Sequence, residues 1–236
     1  MLLLFDIDGT LMKGASAAHA TALCQALQNV HGVDVEGVRL AGSAAGRTDG
    51  EIARLYLLEA GVSAERIDEL AADVRDECCR LYAGLCPADL SAMVVRGVPA
   101  LLESLSARDD IQLSLVTGNF EAVARLKLKA AGLAHWFPRG QGGFGSDSED
   151  RTMLPPIARR RAGEAAGRST SWPRERTLVI GDTPRDIACA RADDLRCVAV
   201  TTGPHGRDDL VGADLIAETT AELLEAIETL SAAASA

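Results

Sequence analysis

Aromatic side chains are scarce. Phe, Tyr and Trp make up 3% of the 236 residues, so any core has to be built from Leu, Val, Ile and Ala. No apolar run is long enough to cross a bilayer, which excludes a membrane-spanning helix. The opening Met1–Phe5 run is shorter than a signal-peptide core and passes straight into Asp6. No Cys-x-x-Cys pair occurs among Cys24, Cys78, Cys79, Cys86, Cys189 and Cys197. Most of these fall in apolar helix or strand patterns, so reduced, buried thiols in a cytoplasmic protein are expected, and Cys78-Cys79 reads as two adjacent helix positions. Net positive charge is also missing. The formal charge of −10 argues against nucleic acid as a partner, because phosphate backbones reward clustered Lys and Arg. A small anionic substrate stays open, since a local cation can reverse the field inside a cleft.

Short apolar runs at Leu2–Phe5, Ile111–Val116, Thr177–Ile180 and Cys197–Thr201 have the look of buried parallel strands. Helical patterns lie between them, at Phe120–Ala131 before Gly132, at Pro184–Ala192 and at Ala221–Leu230 before an Ala/Ser tail. The fold class expected is α/β, with a Rossmann-like, mainly parallel sheet. The first two strands are much further apart than a single βαβ crossover needs, about 30 residues. The intervening chain reads as helices at Ala17–Val30, from Thr48 to Gly61, and at Ala64–Ala83. Thr48-Asp49-Gly50-Glu51 has capping-box spacing. The expected organisation is an α/β core from residues 1–12 and 94–236, with an all-α cap over residues 13–93. Residues 140–150 read as a loop, and residues 162–174 are polar enough to include another exposed one.

In open α/β sheets, ligands bind beyond the carboxyl ends of the strands. Three strands end there in polar residues: Asp6-Ile7-Asp8-Gly9-Thr10, Thr117-Gly118-Asn119, and Gly181-Asp182-Thr183-Pro184-Arg185-Asp186. Any one of these suits a turn; three in one sheet converge on one place. Of Asp6 and Asp8, two residues apart at the end of the first strand, one carboxylate can act as a nucleophile and the other as acid and base. Gly9 permits close backbone approach to a ligand.

These anchors, in this order, resemble the haloacid dehalogenase superfamily, in particular its phosphatases with a helical cap after the first strand. Arg96-Gly97-Val98-Pro99-Ala100-Leu101-Leu102 is similar to that family's return from cap to core. The resemblance implies hydrolysis of a small phosphorylated metabolite, with phosphoglycolate as the nearest guess, by a monomer or homodimer. It implies Asp6 as the nucleophile, Asp8 as general acid then base, and Mg²⁺ held by Asp6, the Asp8 carbonyl and Asp182, with Asp186 in support. Thr117 and neighbouring N–H groups would meet the phosphoryl oxygens, and Gly9, Thr10, Gly118 and Asn119 would border the substrate.

One family feature is missing. No Lys follows Lys129, so the usual lysine that binds phosphate has no counterpart before the third strand. Arg151 is the best substitute by position and Lys127 the runner-up. Arg47, in Gly46-Arg47-Thr48-Asp49 before a capped helix, either binds a substrate anion or faces water beside its cap. His19, His31, His135 and His205 show no metal-ligand spacing, although His205 lies near a strand end. Two other functions remain open: a sugar-phosphate mutase on the same core, and a catalytically weak binding module.

Overall fold

The computed structural model describes residues 1–15, 17–35, 37, 38, 40 and 42–233. Six strands form one sheet: β1 (Leu2–Phe5), β2 (Gln112–Thr117), β3 (Gly143–Phe144), β4 (Thr177–Gly181), β5 (Arg196–Val200) and β6 (Leu215–Ala217). Their spatial order is β3-β2-β1-β4-β5-β6, and every neighbouring pair is parallel. β1 lies inside the sheet and all four of its residues are buried. That is why its sequence is an unbroken apolar run rather than an alternating one.

Successive side chains of a strand point to opposite faces, and the two faces carry separate cores. Leu3 and Phe5 join Leu115, Ile180 and Val198 beneath α4 (Val98–Ser106) and α8 (Thr220–Ala233). Leu2 and Leu4 join Val116, Val179 and Ala199 beneath α6 (Leu154–Ala165) and α7 (Pro184–Ala192). The α/β class is as expected. The chain before β2 contributes a third core. Helices α1 (Ala17–His31), α2 (Asp49–Glu59) and α3 (Ala64–Leu85) pack Leu27, Leu57, Ile67 and Tyr82 together, and Phe120 and Val123 at the start of α5 (Glu121–Ala130) complete the cluster. α5 thus carries one face to the sheet, through Ala124 and Leu128, and its first turn to the helical unit.

Caps set several of these ends. Thr48 Oγ1 accepts from Glu51 N at 3.1 Å to start α2. Gly132, past the end of α5, has φ of 75°, a value only glycine adopts readily. The expected helices agree with the observed ones to within a few residues; β1 is as expected, and the ends of the other expected strands differ by at most one residue. Three readings need correction. Residues 140–150 include β3, a two-residue strand too short to show periodicity. The exposed loop expected within 162–174 starts only after residue 165, because 162–165 are the last turn of α6, where Ala162 and Gly163 are buried. The run Arg159-Arg160-Arg161 hid that helix, because only Arg159 turns inward, to a buried pair with Asp193. β6 escaped notice altogether, being three residues at the sheet edge, two of them only half-buried. The C-terminal tail expected to fray lies, at 234–236, outside the described residues.

None of the six cysteines forms a disulfide. Cys78, Cys189 and Cys197 are buried, but Cys24, Cys79 and Cys86 are only half-buried, so the expectation of mostly buried thiols holds for half of them. Burial raises the Cys79 thiol to about 11 and pushes Cys78 up further, which leaves neither as a thiolate. Among the described residues no helix is long and apolar enough to cross a membrane.

Candidate active site

The carboxyl ends of β1, β2 and β4 meet at the mouth of a cavity of about 500 Å³, whose lining includes Asp6, Asp8, Gly118, Asn119, Arg151 and Asp182. Asp6 follows β1 directly, and its N–H donates to Ile180 O of β4 at 2.9 Å, so the backbone ladder itself aims this carboxylate. Oxygens of Asp6, Asp182 and Asp186 lie within 4.8 Å of one another, and all three residues are buried.

Burial, with Arg151 opposing it and the charges of Asp186 and Asp8 adding to it, raises the Asp6 carboxyl to about 7. Burial, then the charges of Asp6 and Asp186, lifts Asp182 to about 8. Such a cluster favours an added cation or a shared proton. One oxygen of Asp182 accepts from Thr10 Oγ1 at 3.2 Å, while Oδ2 is buried without a partner. The donor set is entirely carboxylate oxygen, which suits a hard divalent ion. Two glycines keep the space open: a Cβ on Gly9 or Gly203 would fall 2.1 or 1.7 Å from Asp182 Oδ2. The residues present therefore fit a metal. Asp186 is also the N3 partner of a capping box, accepting from Thr183 N at 3.0 Å and Thr183 Oγ1 at 2.7 Å. Cap and cluster membership coexist there.

The two candidate cations occupy different posts. Arg151, in a 3₁₀ turn before α6, places Nη2 3.0 Å from Asp6 Oδ1 and also pairs with Asp186. Lys127, fully buried on α5, pairs its Nζ with Asp8 Oδ2 at 2.6 Å. Asn119 Nδ2 donates to the same oxygen at 2.9 Å. Burial pulls the Asp8 carboxyl upward, but the Lys127 charge and its hydrogen bond prevail and hold it below the usual range. Asp8 Oδ1 has no hydrogen-bond partner. The sequence framed these cations as rivals for one job; the geometry gives each its own carboxylate.

Other expected residues scatter more. Thr117 is buried, and its Oγ1 accepts from Asn119 N at 3.3 Å; it does not line the cavity, whereas Gly118 and Asn119 do. Thr10 also lies off the lining and serves Asp182. Gly118 allows close approach, since a Cβ there would meet Arg47 O at 2.1 Å. Arg47 borders the cavity, but its guanidinium pairs with Glu51 and donates through Nε to Ser43 O at 3.1 Å. Of the alternative for this segment, the Thr48 cap on α2 is present, while Arg47 pairs with Glu51 instead of facing water. His205 does not line the cavity; its neighbours Gly203 and Pro204 do. His19 does line it, with Nε2 3.0 Å from Asp49 Oδ2. That residue carried no sequence signal beyond its place on a helix: α1 reaches the strand ends only through tertiary packing.

A family model of haloacid dehalogenase-like hydrolases matches residues 1–192. The chain belongs to the haloacid dehalogenase-like hydrolase family. Among curated relatives, a phosphoglycolate phosphatase of Synechococcus elongatus is 31% identical over 57% of this chain and 59% of its own length, so the match spans less than two thirds of that relative. A phosphoglycolate phosphatase of Rhodospirillum rubrum is 29% identical over 85% of this chain and 79% of its own. Among solved structures, a predicted phosphatase from Clostridium acetobutylicum superposes with a TM-score of 0.66 at 21% identity, covering 97% of this chain and 98% of the other. A β-phosphoglucomutase from Clostridium difficile gives 0.66 at 16% identity, over 98% and 97%. At those identities the structural likeness speaks for the fold alone.

Proposed function

We propose that the protein is a Mg²⁺-dependent phosphatase that hydrolyses a small phosphate monoester through a phosphorylated Asp6. The observation that carries this reading is the meeting of Asp6, Asp182 and Asp186 beside Asp8 at one cavity mouth. Asp6, Asp182 and the Asp8 carbonyl would hold the ion, with Asp186 supporting. When bound, the ion offsets the repulsion between an anionic nucleophile and an anionic phosphate.

Asp6 attacks phosphorus, and the bond from phosphorus to the leaving oxygen breaks as Asp8 delivers its proton there. Asp8 Oδ2 is engaged by Lys127 and Asn119, so Oδ1 is the oxygen that carries the proton. Asp8 rests ionised, and the arriving phosphate adds negative charge beside it, which favours the protonated acid needed for this step. Asp8 then takes a proton from water as that water attacks phosphorus and frees Asp6. Arg151 steadies Asp6 and offers guanidinium N–H groups to the phosphoryl oxygens, a role for which Arg and Lys differ in geometry. The N–H groups after Thr117 supply further donors to the transferring group. In this reading residues 13–93 act as a cap whose helices α1 and α2 wall the substrate, which their separate core and their share of the cavity lining support.

A screen of phosphorylated metabolites with and without Mg²⁺ tests the proposal. Asp8→Asn should slow turnover by roughly 10²–10⁴-fold. If no phosphate ester is hydrolysed under any metal condition, the reading is wrong. A mutase on this scaffold would return the phosphoryl group to a sugar, and product analysis with a hexose phosphate separates the two.

A further inference from the structure

The cavity has two unlike ends. At the strand ends it is polar. Opposite, α1 contributes Ala20, Leu23 and Cys24, and α2 contributes Ile52 and Tyr56. Spacings of three and four place each set on one helix face; the same faces carry His19 and Asp49, which lie against each other, and the rest of this wall is apolar.

Apart from Lys13, the basic side chains that border the cavity are already engaged. Arg151 is held by Asp6 and Asp186, Arg47 by Glu51, and His19 lies against Asp49. Lys13 sits exposed at the rim. Among the described residues, none offers an unpartnered buried cation at the apolar end. A second anionic group on the substrate would be desolvated there without a counter-charge, which is costly. An apolar group would gain from leaving water. At about 30 Å³ per water-sized group, the cavity also holds far more than a phosphoryl group and a two-carbon acid.

Resting on the phosphatase reading above, we infer that the substrate's leaving group is a neutral alcohol with an apolar body, not a small hydroxy acid such as glycolate. Its phosphate faces Asp6, and its hydrocarbon lies against Leu23, Ile52 and Tyr56. This sets the chain apart from the phosphoglycolate phosphatases it is similar to.

The test is a chain-length series. With Mg²⁺ present, kcat/KM is compared for methyl, butyl and hexyl phosphate, whose leaving alcohols have similar reactivity, and for phosphoglycolate. The expected result is a rise of roughly tenfold or more from methyl to hexyl, with hexyl phosphate ahead of phosphoglycolate. Ile52→Ala and Tyr56→Ala should flatten the series, mainly through KM, and Ile52→Arg should tilt it toward phosphoglycolate. A flat series, or phosphoglycolate preferred, overturns the inference and leaves the phosphatase reading standing. Calorimetry with methyl- and hexylphosphonate, which lack the scissile P–O bond, reads the wall independently of turnover. Hexylphosphonate binding no tighter than methylphosphonate overturns the inference; tighter binding without hydrolysis of any ester supports it and sinks the phosphatase reading instead.

Discussion

The two sides of the cavity are built on different terms. The strand-end side concentrates charge: three buried acids, Asp6, Asp182 and Asp186, face Arg151, with Lys127 on Asp8 beside them. Few substitutions suit those positions, because each side chain answers another's charge in a low-dielectric setting. The helical side is held by Leu, Ile and Tyr packing around α1–α3, and many apolar sequences of similar volume fill such a cluster. In the proposed reading, chemistry therefore concentrates on the first side, and substrate choice on the second.

Substitutions can break or sharpen this contrast. Asp6→Asn should reduce phosphate release to background and abolish acid-stable phosphorylation of the protein after quenching, while thermal unfolding shows a fold that is retained. A variant that still turns over would remove the strand-end side from the chemistry.

Lys127→Met should lower kcat by roughly 10²-fold, the scale of a misplaced catalytic group. It should also move the alkaline limb of the pH–rate profile, which reports Asp8 as the acid, upward as Asp8 loses the charge that holds its carboxyl down. Because Asp8's carboxyl is depressed in the folded protein, the pair contributes stability above about pH 4, and that contribution fades as pH falls through the folded value. The variant's deficit is then present at pH 7 and shrinks in acid. It should be smaller than the roughly 3–5 kcal/mol of a fully buried pair, since the Asp8 side chain keeps 28% of its surface exposed. Urea unfolding at both pH values checks the sign.

Metal removal probes the same side without mutation. The carboxyls of Asp6 and Asp182 are raised in the folded state, so the folded protein holds more protons than the unfolded chain above about pH 4. In EDTA, stability should fall as pH rises from about 4 to about 8. Mg²⁺ at a hundred times its pH 8 Kd adds about 2.7 kcal/mol at that pH, and the same concentration should raise Tm less at pH 5, where protons compete for the acids. Equal gains at the two pH values would contradict the buried-acid account.

The smallest effect belongs to the helical side. Thr48→Ala removes the α2 cap and the 2.6 Å bond from its hydroxyl to Glu149 O, at about 1 kcal/mol. That lowers Tm by about 2–4 °C and leaves the turnover of bound substrate largely intact. A collapse of kcat instead would blur the division between the two sides.

Much of the core was legible because its signals are local. The apolar run of β1 and the polar residues directly after β1, β2 and β4 mark strand, end and ligand side without reference to distant chain. The cations were harder to read. Nothing around Lys127 distinguishes it from a solvated helix lysine; its burial exists only because α5 lies between the sheet and the helical unit. Arg151 was reached by position, yet its double contact with Asp6 and Asp186 depends on the turn before α6 packing against α7. His19 and the apolar wall went unseen, since a helix face shows what it buries but not against which partner. β3 and β6 were missed because strands of two and three residues carry no periodicity.

Taken alone, the order of residues determined the class of fold, the strand ends at which chemistry gathers, and the acids that gather there, because turn residues and apolar runs act on their immediate neighbours. Which cation meets which carboxylate, and what kind of surface faces the phosphate site, were decided only in three dimensions. Charge pairing and burial are properties of distance, and residues as far apart along the chain as Asp8 and Lys127 acquire a distance only once the chain has folded.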